Sequence, residues 1–477
     1  MIPVGLQLLL IPIILMGAVY SVLLTPPRHP KNIPAVPFWV TLLPFFFDID
    51  QEETYRKYIE QPLTEHGAVK MFFGARWNVL VARPELMQRV FRDEELFRKS
   101  GNHEKIPHSV LAEFLGDNII SASAEKWRTY RSVIKPALQR PFDSDIVERN
   151  TDNLCDLFAA TQKKSPVVPV QELLQRFTIA NTAQCIFDAD FKSLADSTTI
   201  SSLQGAVKRE IFKPIFMSFP FLDSLPFPSR LAARRKAGEF YETLQKALLG
   251  SKALDAEKVS SRLVEAKNNG TLTPRQFRDN LMVLFVASQE NPQLALISTL
   301  YLLAKHPQQQ AVVRAELKQA REENIPLDQL PRLTATLLEC LRLFPPISQL
   351  VNRRTTAPAA LGPDSIIPEE TYVGYYSYAT NRDIGFWGKD SKEFVPERWG
   401  GEMDKIQSNL RKSKSKAAFI TFHGGRRACL GEKFAMLELR TAVAGVLQRF
   451  ELSLPRGVEA GPLYPRALKL NFQELEK

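Results

Sequence analysis

Ile2 to Leu24 carries no charge, and only Gln7 and Ser21 are clearly polar. As a helix rising about 1.5 Å per residue it is long enough to cross a bilayer core, so one transmembrane helix is expected over residues 1–25. A cleaved signal peptide would need a basic segment before the apolar run and a small-x-small site after it, and the sequence has neither. Arg28, His29 and Lys31 follow the run while no basic residue precedes it. That asymmetry places the rest of the chain in the cytosol. Pro26, Pro27, Pro30, Pro34 and Pro37 then punctuate a stretch that cannot be helical, a stiff hinge over residues 26–38.

From residue 39 onward the pattern changes. The segment from Glu432 to Phe450 has apolar residues at 434, 435, 439, 442, 443, 446 and 450, the period of an amphipathic helix. Phe277–Lys305 and Leu333–Phe344 also read as helices, whereas Ala68–Phe73 and Asn78–Ala82 are short strand-like runs. With no internal repeat and no second linker, the expectation is one large domain over residues 39–477, mainly α with small β-sheets.

Composition narrows the class. Hydrophobic residues are 44% and charged residues 24% of the 477, which excludes disordered, collagen-like and polytopic membrane proteins. The net charge of +10 suits an anionic partner or a membrane surface, although soluble enzymes share it. Cys155, Cys185, Cys340 and Cys429 stand far apart, against a disulfide scaffold or a zinc site and in keeping with the cytosol.

The chemistry gathers around Cys429. The segment Phe422-His423-Gly424-Gly425-Arg426-Arg427-Ala428-Cys429-Leu430-Gly431 ends where the 432–450 helix begins. Cys429 therefore sits at a helix N-terminus, where free N–H groups and the dipole favour a thiolate. Gly425 and Gly431 permit a tight loop around the sulfur. This is a metal-ligand arrangement. Elsewhere Glu339 and Arg342 share a helix face at i, i+3, as Trp127 and Arg131 do at i, i+4.

The segment resembles the cysteine loop of the cytochrome P450 superfamily, F-x-x-G-x-R-x-C-x-G, at all five specified positions. The resemblance implies the cytochrome P450 fold, a catalytic domain over residues 39–477, and haem b as cofactor. Cys429 would be the thiolate on the iron, Phe422 would pack beside the sulfur and Arg427 would pair with a haem propionate. The family's W-x-x-x-R pattern is met by Trp127 and Arg131, two further propionate donors, and another is implied at Arg353 or Arg354. Glu339, Arg342 and the Arg398 of Pro396-Glu397-Arg398-Trp399 would form the family's buried structural triad.

The distal helix departs from the family. Ala287-Ser288-Gln289-Glu290-Asn291-Pro292 stands where [AG]-G-x-[DE]-T-[TS] is usual, so Ser288 replaces a glycine and Asn291 the alcohol. Glu290 and Asn291 are the candidates for proton delivery. Pro292 leaves the Ser288 carbonyl without its i+4 donor, and the helix is expected to open there.

The anchor and hinge match microsomal members, and the Glu290-Asn291-Pro292 variant resembles a fungal branch that includes a spore-wall enzyme oxidising N-formyl-tyrosine. The function implied is a monooxygenase of the endoplasmic reticulum membrane, single-pass with its catalytic domain in the cytosol. It would take electrons from NADPH through NADPH-cytochrome P450 reductase and oxidise a small aromatic or amino-acid-derived molecule of specialised metabolism. Arg411, Lys412, Lys414 and Lys416 precede the cysteine loop and would face the reductase. No nucleic-acid partner is expected. Oxidative coupling or rearrangement without oxygen retention is the alternative chemistry, and a non-catalytic haem-binding protein the alternative class. Substrate-reading regions would be Ser100–Ile120, Phe212–Phe227, Ile347–Val351 and Gly461–Tyr464, the phenylalanines serving either a pocket or the bilayer.

Overall fold

The computed structural model describes residues 4–195, 199–249, 257–457, 461–463 and 467–475. The helices that matter for the site are α1 (Val4–Val19), α2 (Ala124–Gln139), α3 (Ser144–Lys164), α4 (Val170–Asn181), α5 (Thr199–Ile211), α6 (Pro274–Lys305), α7 (Pro331–Leu343), α8 (Met403–Ser415) and α9 (Glu432–Arg449). Among the described residues ten strands accompany them: β1 (Ala68–Phe73), β2 (Arg76–Val81), β3 (Phe97–Lys99), β4 (Val168–Pro169), β5 (Leu350–Thr355), β6 (Ala359–Gly362), β7 (Ser365–Ile367), β8 (Tyr372–Tyr375), β9 (Phe450–Ser453) and β10 (Lys469–Glu474). The main sheet has the order β1-β2-β8-β5-β3, in which β2 and β8 run parallel and the other pairs antiparallel. This is the mainly helical fold with small sheets that the periodicity predicts.

Thr273 starts α6 with a reciprocal cap: its hydroxyl accepts from Gln276 N–H and the Gln276 side chain accepts from Thr273 N–H. Pro274 occupies the first turn, where a missing N–H costs nothing. The helix then crosses the core, packing on α4, α7 and α9, while α9 also lies against α3. Pro292 does not open it: α6 is helical without interruption from Pro274 to Lys305. Asn291 explains this in part, since its Nδ2 donates to the Ala287 carbonyl at 3.1 Å and ties the turn together beside the proline.

The N-terminal stretch also differs from the expectation of one spanning helix. α1 has 16 residues and contains Pro12, and a π-helical turn, Tyr20–Leu24, follows it. No helix among the described residues is long and apolar enough to cross a membrane. Nor is the proline-rich stretch free along its whole length. Lys70 N–H donates to the Pro34 carbonyl at 2.7 Å and Val36 N–H to the Lys70 carbonyl at 2.9 Å, with Ile33 and Val36 buried. The end of the hinge is thus an added partner of β1.

Beneath the cysteine loop, Glu339 on α7 accepts from Arg342 Nε and Nη2, both at 2.8 Å, Arg398 Nε at 2.9 Å, Val395 N–H at 3.0 Å and Trp399 Nε1 at 3.0 Å. Arg342 also donates to the carbonyls of Asn381, Ser391 and Glu393. A buried ion pair holds only when its remaining donors and lone pairs are met, and here they are. The triad joins α7 to the segment that leads into α8.

Candidate active site

A cavity of about 250 Å³ lies between α6 and the cysteine loop with the start of α9. Its distal wall includes Leu284, Ala287, Ser288 and Asn291; its proximal floor includes Phe422, Cys429, Phe434 and Leu439. Cys429 is reached from the cavity, yet lies deep in the protein. Its N–H donates to the Phe422 carbonyl at 2.9 Å, which closes the loop. The glycines that this loop needs are Gly424 and Gly425. A Cβ on Gly424 would stand 2.7 Å from the Phe91 ring, and Gly425 has φ +63° with a Cβ position 3.3 Å from the Phe91 carbonyl oxygen. Gly431 is less constrained, its nearest neighbour being the Cys429 sulfur at 3.9 Å.

The helix terminus does not by itself produce a thiolate. Burial pushes the Cys429 thiol up, against the hydrogen bonds from the Gly431 and Glu432 backbone that favour the anion. Desolvation outweighs the helix end here, and a metal ion at the sulfur would favour the thiolate.

At the other end of the cavity basic groups converge. Trp127 and Arg131 both line it from α2, and Arg427 lies over the Trp127 ring at 4.0 Å. Arg427 Nε meets Glu94 at 3.1 Å and Nη1 donates to the Ala122 carbonyl at 2.9 Å. Arg353 does not itself line the cavity but lies buried beside its neighbour Asn352, which does, and is 1% exposed; its Nη1 donates to the Phe97 carbonyl, while Nε and Nη2 have no partner. Burial pushes it down to about 10. Arg354 instead turns outward to an ion pair with Glu370. Lys99, buried on β3, also lines the cavity and is held far below the usual lysine range by burial and by the Arg353 and Arg427 charges.

Buried cations without acceptors are costly, and they mark the place of missing anions. A thiol at one end, apolar walls, and unmatched donors at the other end fit a flat, largely apolar group with a metal at its centre and carboxylates at its edge, which is haem. Lys99 is the donor sequence reasoning missed; a lysine in a three-residue strand gives no sign of its burial.

Asn291 lines the distal wall, but Glu290 does not. The Glu290 carboxylate accepts from Gln204 Nε2 at 2.7 Å and pairs with Lys208 at 3.2 Å, both on α5. The two candidates for proton delivery therefore face different surroundings. None of the phenylalanines between Phe212 and Phe227 lines the cavity. Phe212, Phe221 and Phe227 are exposed, and Phe219 packs on Phe38, Phe45 and Phe72. Of the turn Gly461–Tyr464, Tyr464 lies outside the described residues.

A mainly helical domain with a cysteine below and buried cations beside one apolar cavity defines a haem-thiolate protein. The family model for cytochrome P450 matches residues 34–474. The chain is 41% identical over 468 residues to Cytochrome P450-DIT2 of Saccharomyces cerevisiae, covering 95% of each. To cytochrome P450 monooxygenase xanG of Aspergillus fumigatus it is 34% identical over 446 residues, covering 89% of this chain and 83% of that one. It is also 28% identical over 417 residues to cytochrome P450 72A11 of Arabidopsis thaliana, covering 83% of this chain and 78% of that one. The chain belongs to the cytochrome P450 family of haem monooxygenases, and it is an oxidoreductase. Two of these relatives are fungal, in keeping with the branch that the distal motif resembles.

Proposed function

We propose that this protein is a membrane-associated monooxygenase, supplied with electrons from NADPH by NADPH-cytochrome P450 reductase, that oxidises a small aromatic or amino-acid-derived molecule in fungal specialised metabolism. The observation that carries the reading is the cavity, with Ser288 and Asn291 as polar points on a wall otherwise apolar. Haem, when bound, supplies dioxygen activation, and a thiolate ligand favours O–O cleavage over reversible oxygen storage.

The chain's own residues do the rest. Cys429 would hold the haem iron through its sulfur, and the Gly431 and Glu432 backbone would stabilise the thiolate charge. Arg427, Trp127 and Arg131, which line the cavity, would hold the cofactor's carboxylates with the buried Arg353 behind them, whereas Arg354 is engaged with Glu370. Asn291 commits Nδ2 to the Ala287 carbonyl, which leaves its Oδ1 to accept from water or from a polar group of the substrate. Glu290 holds a proton-exchanging carboxylate behind α6 and becomes available only when it parts from Gln204 and Lys208. An amide relays protons poorly, so a substrate carrying its own hydroxyl, amide or carboxylate suits this wall.

The membrane reading rests on α1, with Ile11, Ile13, Ile14, Leu15 and Met16 exposed, and on exposed Phe46, Phe47, Phe212 and Phe221 in the globular part. Arg28 and Lys31, which follow the apolar segment, support a cytosolic side for the domain. The test is turnover of a candidate aromatic amino-acid derivative by the purified protein with reductase, NADPH and isotopically labelled dioxygen. One labelled atom in the product supports a monooxygenase. Product without label favours coupling or rearrangement, the reading that the missing alcohol at Asn291 keeps open.

A further inference from the structure

His423 follows Phe422 in the cysteine loop, and the account so far gives it no task. Its backbone is at φ +62°, a region that residues with a side chain rarely adopt. The ring is fixed on two sides, against Phe91 with centroids 4.3 Å apart and edge-on to Tyr375 at 5.5 Å. Nδ1 takes the Gly424 N–H at 2.7 Å, a closer contact than the 3.0 Å to the Gly424 carbonyl oxygen. A ring nitrogen that accepts a hydrogen does not carry one, so the proton of the neutral ring is on Nε2.

That Nε2 is buried and has no partner. The charged groups facing it are Lys99, Arg353 and Arg427, all of them donors, which together with burial hold the ring far below the usual histidine range and keep it neutral. Glu94 is engaged by Arg427 through Oε2, while its Oε1 is buried without a partner, and neither oxygen takes a hydrogen bond from His423. His423 also lines the cavity, in company with Lys99, Trp127 and Arg131. Its N–H has no acceptor within the protein as it stands, and an occupant of the cavity can bring one.

We propose that His423 is a cofactor-binding residue whose Nε2–H donates a hydrogen bond to a carboxylate of the haem, fastening the edge of the cofactor to the same loop that supplies Cys429. The proposal rests on the haem reading above. It gives the left-handed backbone at His423 a purpose: this conformation sets the ring against Phe91 at the cavity wall, with Nε2 left unpartnered. Arg353 and Arg427 supply charge from β5 and the loop, and His423 supplies a neutral, directional donor that competes with neither.

The experiment compares haem loss to an excess of apo-globin from the wild type, His423→Phe and His423→Gln, each prepared as the haem-loaded full chain. Phenylalanine keeps the stacking and removes the donor, and it should speed haem loss about tenfold or more, the range for a hydrogen bond to a charged group. Glutamine can place an N–H near the position of Nε2 and should recover most of that loss. Equal rates in all three proteins would overturn the proposal, as would glutamine behaving like phenylalanine. A second measurement does not depend on how the variants fold. In the diamagnetic ferrous carbonyl form of the wild type, nitrogen-15 spectra of labelled histidine should show His423 protonated at Nε2 and bare at Nδ1; the reverse tautomer would refute it. If the wild type retained no haem at all, the cofactor reading itself would have failed, an outcome distinct from equal rates.

Discussion

Replacing Glu339 by alanine removes the acceptor of five hydrogen bonds inside a cluster where Glu339 and Arg342 are both fully buried. Arg342 keeps three carbonyl partners and Arg398 keeps Asp390, so neither cation is wholly abandoned. Arg342 Nε, Trp399 Nε1 and Val395 N–H lose their acceptor, and the charge of Arg342 loses its counterion. Breaking a buried pair from one side costs about 3–5 kcal/mol, against a total stability of about 5–15 kcal/mol for a domain. The assay is urea unfolding of the haem-loaded protein together with haem content per chain. We expect a midpoint lower by about 1 M or more at ordinary m-values, or a protein recovered largely without haem. Asp390→Ala is the control, because the same Arg398 meets that carboxylate at the surface, with 54% of it exposed, and such pairs contribute at most about 1 kcal/mol. If Glu339→Ala unfolded at the wild-type midpoint with full haem content, the cluster would not bear on stability as argued.

Glu438, buried on α9 and bonded to Asn181, is pushed up to about 8 by burial. The folded state then holds a proton that the unfolded state has released above the ordinary glutamate value of 4.5, so stability should fall as pH rises from there to about 8, by up to about 1.4 kcal/mol per unit, and Glu438→Gln should flatten that slope in pH-dependent unfolding. Replacing Phe46, Phe47 and Phe221 with serine should weaken co-sedimentation with lipid vesicles and leave the haem spectrum unchanged; undiminished binding would remove these side chains from the membrane surface. Lys412→Glu with Lys416→Glu should slow reduction by the reductase and weaken its salt dependence, both side chains being exposed, with substrate affinity unaltered. Lys414 is left out because it is paired with Glu432 at the start of α9.

What the sequence made legible was local. The cysteine loop, α9 and the β1–β2 hairpin are written in spacings of a few residues, and all lie where those spacings put them. What it hid depends on distant partners. Arg353 and Arg354 are neighbours on a strand, and only the irregular pairing of β5 with β8 between Val351 and Arg353 settles which one turns inward. The tether of Glu290 comes from α5, 86 residues earlier for Gln204. The need for Gly424 and Gly425 is set by Phe91, more than three hundred positions away along the chain, and the burial of Lys99 by the packing of β3 against β5. Pro292 was read by a rule for isolated helices, whereas the Asn291 side chain and the packed neighbours of α6 keep the turn closed.

The central claim is that Cys429 is the axial ligand of a haem, and the carbonyl spectrum of the reduced protein tests it most directly. The wild type should show the red-shifted band of a thiolate-ligated ferrous haem, and Cys429→Ser should lose it, since an alcohol is a harder and far weaker ligand than a thiolate. A Cys429→Ser protein with the wild-type spectrum would contradict the account.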